Sequence, residues 1–380
     1  MQEVRLYYID WLRVLVILSL IPYHAALTYT EIGSTYIKTT IYDSRVLPFL
    51  AIKSPLASFF MVLLFFVSGV AAYYSFHRRG RAVYIKERIT KIGIPFLLGT
   101  VLLCPVQAYF KARYEGYSGN IVHFASEFFS AKFIHYLAYA HLWFLLYLFI
   151  FTFVSVPLFT KWAGDETKLK KISSYLSRGN KILIPIFGLV WVEILLRPFF
   201  FGQQNFVLDW ANNIVYFSVF IFGFIFASDD RLQQRVFQLA GASKILFVIL
   251  MLLYIMIEYL HMTQGAMGKY LMPVWILTKG IYECAAVIFF VTLGKKFFDR
   301  ASPILRYLNQ ASFTYYLVHF IPISFLSYYL AAKDIHIYVK YLIVVLFSYL
   351  FVWMVYEGIR RLKSVLANSL GKQKQKYMKL

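Results

Sequence analysis

Apolar runs long enough to cross a bilayer, about 20 residues each, alternate with short polar breaks along almost the whole chain. They fall near 8–29, 54–76, 92–110, 140–160, 182–201, 210–228, 245–262, 273–294, 312–332 and 338–358 and predict ten spanning helices. The sixth run is the most polar at its start, where Asp209, Asn212 and Asn213 crowd together. The expected fold is all-α: a polytopic transmembrane helix bundle of about ten helices, one domain covering 1–380, with a basic tail at 358–380.

Composition agrees with that pattern, since 60% hydrophobic, 20% aromatic and only 15% charged residues exclude a soluble domain. Cys104 and Cys284 both sit inside apolar runs, which suits neither a zinc site nor a disulfide framework, and no metal is expected. The net charge of +21 would suggest nucleic acid in a soluble chain, but here the distribution of charge carries the information. Basic residues gather in alternate loops: Arg78, Arg79, Arg81, Lys86, Arg88 and Lys91 in the second, Lys161 to Lys181 in the fourth. Arg231, Arg235 and Lys244 mark the sixth, and Lys295, Lys296, Arg300 and Arg306 the eighth. The positive-inside rule then puts both termini in the cytoplasm of a multi-pass cell-membrane protein, with membrane lipid as one partner and no nucleic acid. Topology and attraction to anionic lipid explain these clusters; steering a polyanionic cytoplasmic ligand is a second use for them. The first run is expected to be retained rather than cleaved, because Arg13 interrupts its apolar stretch and no small-residue cleavage site follows.

That first run, YYIDWLRVLVILSLIPYHAALTY, carries Asp10, Arg13 and His24, each costly in hydrocarbon. Eleven residues separate Arg13 from His24, which returns them to nearly one face about 16 Å apart along the axis. Arg13 then lies toward the cytoplasmic side, His24 toward the outer side, and Asp10 is spaced to pair with Arg13. A structural reading makes Asp10 and Arg13 an ion pair and gives His24 a carbonyl partner. A functional one has Arg13 hold an anionic or amide-bearing ligand and His24 do acid–base work, for which its near-neutral pKa suits it.

Other polar residues are candidates for the same cavity. His141 opens the fourth helix on the outer side at the depth of His24, with Trp143 after it, and His319 is expected about 12 Å in from the cytoplasmic side of a ninth helix starting near Ser312. Glu193 with Arg197, and Lys279 with Glu283, have spacings for structural pairs within their helices. Glu258 and His261 are expected to reach interfacial water, and His77, His123, His135 and His336 fall in loops or at interfaces. YEGYSGNIVHF in the third, outward loop offers anchoring or loop packing, with a stacking surface for a sugar as the alternative.

The chain resembles the acyltransferase family 3 membrane proteins, in particular the branch with the glucan-modifying members. Arg13 and His24 within YIDWLRVLVILSLIPYH, then FFMVLLFFVSGVAAYYSF, YIKERITKIGIPFLL, HLWFLLYLFIF and NQASFTYYLVHFIPI, are similar to family segments. The resemblance implies a membrane acyltransferase moving an acyl group, usually acetyl or succinyl, from cytoplasmic acyl-CoA to a hydroxyl of an extracytoplasmic carbohydrate. It implies His24 as catalytic general base, with Arg13 holding the donor. Asp10, His141, Trp143 and His319 complete the substrate-binding candidates, and Arg78, Arg79 and Arg88 are those for the coenzyme A nucleotide. Acceptor specificity is expected from the bundle and its outer loops. Direct transfer and an acyl-histidine relay remain alternatives, as do the oligomeric states. A transporter or flippase for a glycan or lipid-linked sugar is the rival, although neither repeat symmetry nor matched helix-breaking Gly/Pro pairs stand out.

Overall fold

Each of the ten apolar stretches lies on helix in the computed structural model, which describes residues 5–30, 37–128, 130, 140–200, 205–264 and 271–377; no strand occurs among them. The helices are α1 (Tyr7–Leu27), α2 (Leu47–Arg88), α3 (Ile94–Leu102), α4 (Cys104–Tyr114), α5 (Ile121–Glu127), α6 (Trp143–Gly164), α7 (Glu166–Leu176) and α8 (Leu183–Leu196). They continue with α9 (Trp210–Phe226), α10 (Asp230–Phe237), α11 (Ala240–Gln264), α12 (Leu271–Phe297), α13 (Pro303–Val318), α14 (Phe320–Ala331) and α15 (Ile337–Tyr377). Seven of the described helical segments are long and apolar enough to cross a membrane, or eight when the bent pair α9 and α10 is taken as one span. The protein is therefore a multi-pass, all-α membrane protein.

Three boundaries differ from the expectation. The basic stretch from Arg78 to Lys91 is not a loop: α2 continues through it, interrupted at Gly80 (φ 72°), and a π-helical turn over Ile89–Gly93 leads into α3. Only Gly80 in HRRGRAVYIKERITK is a strong helix breaker, so the chain turns there and otherwise stays helical. The ninth helix begins at Pro303, nine residues before Ser312, because Pro at its first turn is pre-set for helix and its polar residues have partners inside the protein. The basic tail is a continuation of α15, not a separate segment. Two breaks become short amphipathic helices, α7 and α10, each N-capped by an aspartate. Thr167 and Lys168 hydrogen-bond the α7 cap, Asp165, and hold its carboxyl down to about 2. Ser173 of α7 bonds Asp229, the cap of α10, at 3.2 Å.

Packing is tightest between α2 and α9. A Cβ placed on Gly69 would overlap the Phe220 carbonyl oxygen, and one on Gly223 would overlap that of Phe66, so the two backbones meet at a reciprocal pair of glycines. Lipid supplies no hydrophobic drive between helices, and such close approach is how dispersion contacts hold them together. Gly223→Ala is expected to cost about 1–3 kcal/mol, since backbone rather than a movable side chain fills the space. A fall in thermal unfolding temperature measured in detergent checks it, and an unchanged midpoint would refute the packing argument.

α1 occupies the middle, in contact with α2, α12, α13, α14 and α15. Pro22 inside α1 has no N–H, so the Leu18 carbonyl loses its helical donor. The Tyr349 hydroxyl of α15 donates to that carbonyl at 2.7 Å, and Tyr341 donates to the Pro22 carbonyl at 3.3 Å. α15 thus repairs the defect that a proline makes in a spanning helix. Tyr349→Phe leaves a carbonyl unpaired away from water and is expected to cost about 1–3 kcal/mol. Chemical-denaturant midpoints of the two proteins test this, and equal midpoints would show that the bond carries no weight.

Candidate active site

The two polar ends of α1 hold different chemistry. At the first, Arg13 donates from Nη2 to Asp10 at 2.8 Å and to Asn309 of α13 at 2.5 Å. Asp10 also pairs with Arg5 at 2.8 Å, so the spacing between Asp10 and Arg13 does yield an ion pair. That pair leaves Arg13 only partly engaged. Its side chain keeps 35% of its surface accessible while it bonds Asn309 of the neighbouring helix.

Of the three candidate arginines near the Gly80 break, Arg79 is tied to Glu87 in an ion pair, and Arg78 is exposed. Arg88 stacks its guanidinium over the Tyr84 ring at 4.7 Å, its charge acts on Arg13, and its Nε is buried without a hydrogen-bond partner among the described residues. Arg13 and Arg88, one on α1 and one on α2, are therefore the cationic pair at this end.

At the other end three imidazoles form a row. The His24 ring lies 5.1 Å from that of His319, and His319 lies 4.9 Å from His141, between centroids. Phe320 packs edge-on against His24 at 5.1 Å and flat on His141 at 5.4 Å. All three histidines are buried. His319 thus lies about 24 Å from the start of its helix, not the about 12 Å that a start near Ser312 implied. Because α13 begins at Pro303, sixteen residues carry His319 to the depth of His24.

The row is positioned by a break in α13. Pro322 has no N–H for the Val318 carbonyl, and α13 ends at Val318 before α14 resumes. His319 fills the gap by turning Nδ1–H back onto the Tyr315 and Tyr316 carbonyls, at 3.0 and 2.8 Å. That fixes its tautomer, and its Nε2 is buried with no hydrogen-bond partner among the described residues. His141 has both nitrogens occupied, Nε2 by the Leu317 carbonyl at 3.1 Å and Nδ1 by the Gln107 amide at 3.2 Å. Tyr316 donates to the His141 carbonyl at 2.6 Å. His141 is therefore a held ring, whereas His319 presents an open lone pair beside His24.

The family model described as an acyltransferase domain matches residues 6–357, nearly the whole chain and both ends of this site. The chain belongs to the acyltransferase 3 family. The glucans biosynthesis protein C of Salmonella paratyphi A is 24% identical over 335 residues, covering 83% of this chain and 81% of the relative. Its counterpart in Salmonella typhimurium strain LT2 is 23% identical over 334 residues, with the same shares covered. That of Shigella boydii serotype 4 is 27% identical over 235 residues, 58% of this chain and 57% of the relative. No solved structure matches. The protein is an acyl-transferring membrane enzyme.

The remaining candidates fall outside the histidine row in this acyltransferase. Trp143 is buried against Tyr147 and Tyr216, with ring centroids 5.3 and 5.8 Å away, in an aromatic layer between α6 and α9. Glu193 with Arg197, and Lys279 with Glu283, do form pairs within their helices, at 2.7 and 2.6 Å. Lys279 also reaches Glu193 at 2.7 Å and Arg197 reaches Asn212 at 2.8 Å, so α8, α9 and α12 share one buried ionic network. Glu258 does not reach interfacial water: it is buried, and Lys53 of α2, also buried, is its ion-pair partner. Neither Lys53 nor Gln107 nor Asn309 stood out in the sequence, because each becomes informative only beside its distant partner. His135 lies outside the described residues, and among those residues no cluster could hold a metal.

Proposed function

We propose that this enzyme transfers an acyl group, acetyl or succinyl, from cytoplasmic acyl-CoA to a hydroxyl of an extracytoplasmic carbohydrate, with both termini in the cytoplasm of the cell membrane. The observation that carries the reading is the placement of a cationic pair and a histidine row at opposite ends of one central helix. Acyl-CoA fits the first end: Arg88 has a buried, unclaimed Nε and Arg13 an accessible guanidinium, both suited to anionic or amide oxygens, whereas Arg79 is spent on Glu87. The names of the relatives point to a glucan as acceptor.

In this reading the acceptor oxygen attacks the thioester carbonyl carbon while its proton passes to His24. Collapse of the tetrahedral intermediate expels the coenzyme A thiolate, which takes up a proton as it leaves. His319, with Nδ1–H locked on two carbonyls and Nε2 open, is placed to share the proton held by His24. The test is transfer of label from acyl-CoA to a glucan by purified protein. Movement of glycan across a vesicle membrane with no acyl transfer from any donor would overturn the proposal in favour of a carrier.

A further inference from the structure

Three elements leave the histidine row in the same direction and meet again around an open pocket of about 520 Å³. On the first, Thr28 lies one turn beyond His24, and its carbonyl accepts from the Thr39 amide at 2.8 Å. The second, α4, contacts the row through Gln107 and carries Arg113 and Tyr114 further along. The third, α14, starts beside His319 and carries Tyr328 and Tyr329, with Ser327 bonding Thr28 at 3.3 Å. Thr39, Arg113, Tyr114, Tyr328 and Tyr329 all line the pocket. Arg113 stands about 9 Å along α4 from Gln107 and Tyr328 about 14 Å along α14 from His319, a span that a short oligosaccharide covers, and the pocket's size lies within the range of small-molecule sites.

We propose that this pocket binds the carbohydrate acceptor, holding one part of an oligosaccharide that extends from it toward the histidine row. The inference rests on the acceptor reading given above and names the residues that would serve it. A sugar ring offers an apolar face of C–H bonds with a rim of hydroxyls. The pocket offers matching surfaces: three phenol rings, the Thr39 hydroxyl and the partly exposed Arg113 guanidinium, which hydrogen-bonds Tyr328 and the Tyr117 carbonyl, while the Tyr114 hydroxyl donates to the Lys38 carbonyl at 2.6 Å. An acyl chain would bring no hydroxyls to the polar rim, and a simple anion would use Arg113 and leave the ring faces idle.

The test is direct binding of a panel of α- and β-linked gluco-oligosaccharides to the full-length protein in nanodiscs made with a lipid that has no sugar headgroup. The expected result is that wild type binds at least one of them. Arg113→Ala and Tyr328→Ala then weaken it about tenfold or more and raise acceptor KM more than they lower kcat. Ala332→Trp fills the pocket from its exposed rim, at the end of α14, and is expected to weaken binding as strongly without removing a core contact. Unchanged oligosaccharide affinity in all three variants would overturn the pocket while leaving the acyl-transfer reaction intact. Acyl transfer to a non-carbohydrate acceptor, with no oligosaccharide bound, would instead overturn the acceptor reading and the pocket with it. Displacement of the bound oligosaccharide by phosphatidylglycerol in the disc, abolished by Arg113→Ala, would reassign the pocket to lipid headgroups and also overturn the proposal.

Discussion

His24→Ala in folded, purified protein is expected to lower kcat for acyl transfer by about 10²–10⁴, the usual contribution of a positioned acid–base group. The reason is local. Of the three buried imidazoles, His141 has both nitrogens committed to Leu317 and Gln107, and His319 has one committed to its own helix. His24 alone stands on the helix that also carries Arg13, so one rigid element joins the proposed acceptor end to the proposed donor end. The substitution removes a ring and leaves its neighbours, Tyr23, His319 and Phe320, in place. Added imidazole is therefore expected to restore part of the rate, a readout that a purely structural loss would not give. Arg13→Ala is expected to act differently, raising donor KM, because the cation sits at the other end. Normal turnover in the His24 variant would remove it from the mechanism.

The largest loss of stability is expected from Lys53→Met, at about 3–5 kcal/mol, because Glu258 then stays buried as an unpaired group. The pair bridges α2 and α11, and both of its side chains are buried. Lys53→Met combined with Glu258→Met removes both charges at once, and the double variant is expected to recover most of the loss. Unfolding free energies of wild type, both single variants and the double variant close a thermodynamic cycle. A double variant no more stable than Lys53→Met would show that packing, rather than the orphaned charge, sets the cost.

How much of this was readable beforehand depends on the range of each interaction. Apolar run length marked the helices because a bilayer imposes it, and the pairing of Asp10 with Arg13 followed from spacing on one turn. The common face of Arg13 and His24 was readable for the same reason. The depth of His319 was not, since it hinges on where α13 begins, and the polar stretch around Arg306 and Asn309 looked like loop until Asn309 met Arg13. Lys53 with Glu258 lies 205 residues apart in sequence, beyond any periodicity. One signal went unused: Pro22 inside α1 announces a carbonyl without a donor, and a tyrosine from another helix is a natural supplier.

The histidine row draws on residues 24, 141 and 319, on α1, on the turn before α6 and at the junction of α13 with α14. During synthesis the first helix enters the membrane with its catalytic candidate long before the partner ring exists. The site comes into being only when the chain past Phe320 has been inserted and has folded back onto the beginning. A ribosome-bound chain halted before residue 319 is thus a form of this protein that holds Arg13, Arg88 and His24 without the ring that packs beside His24.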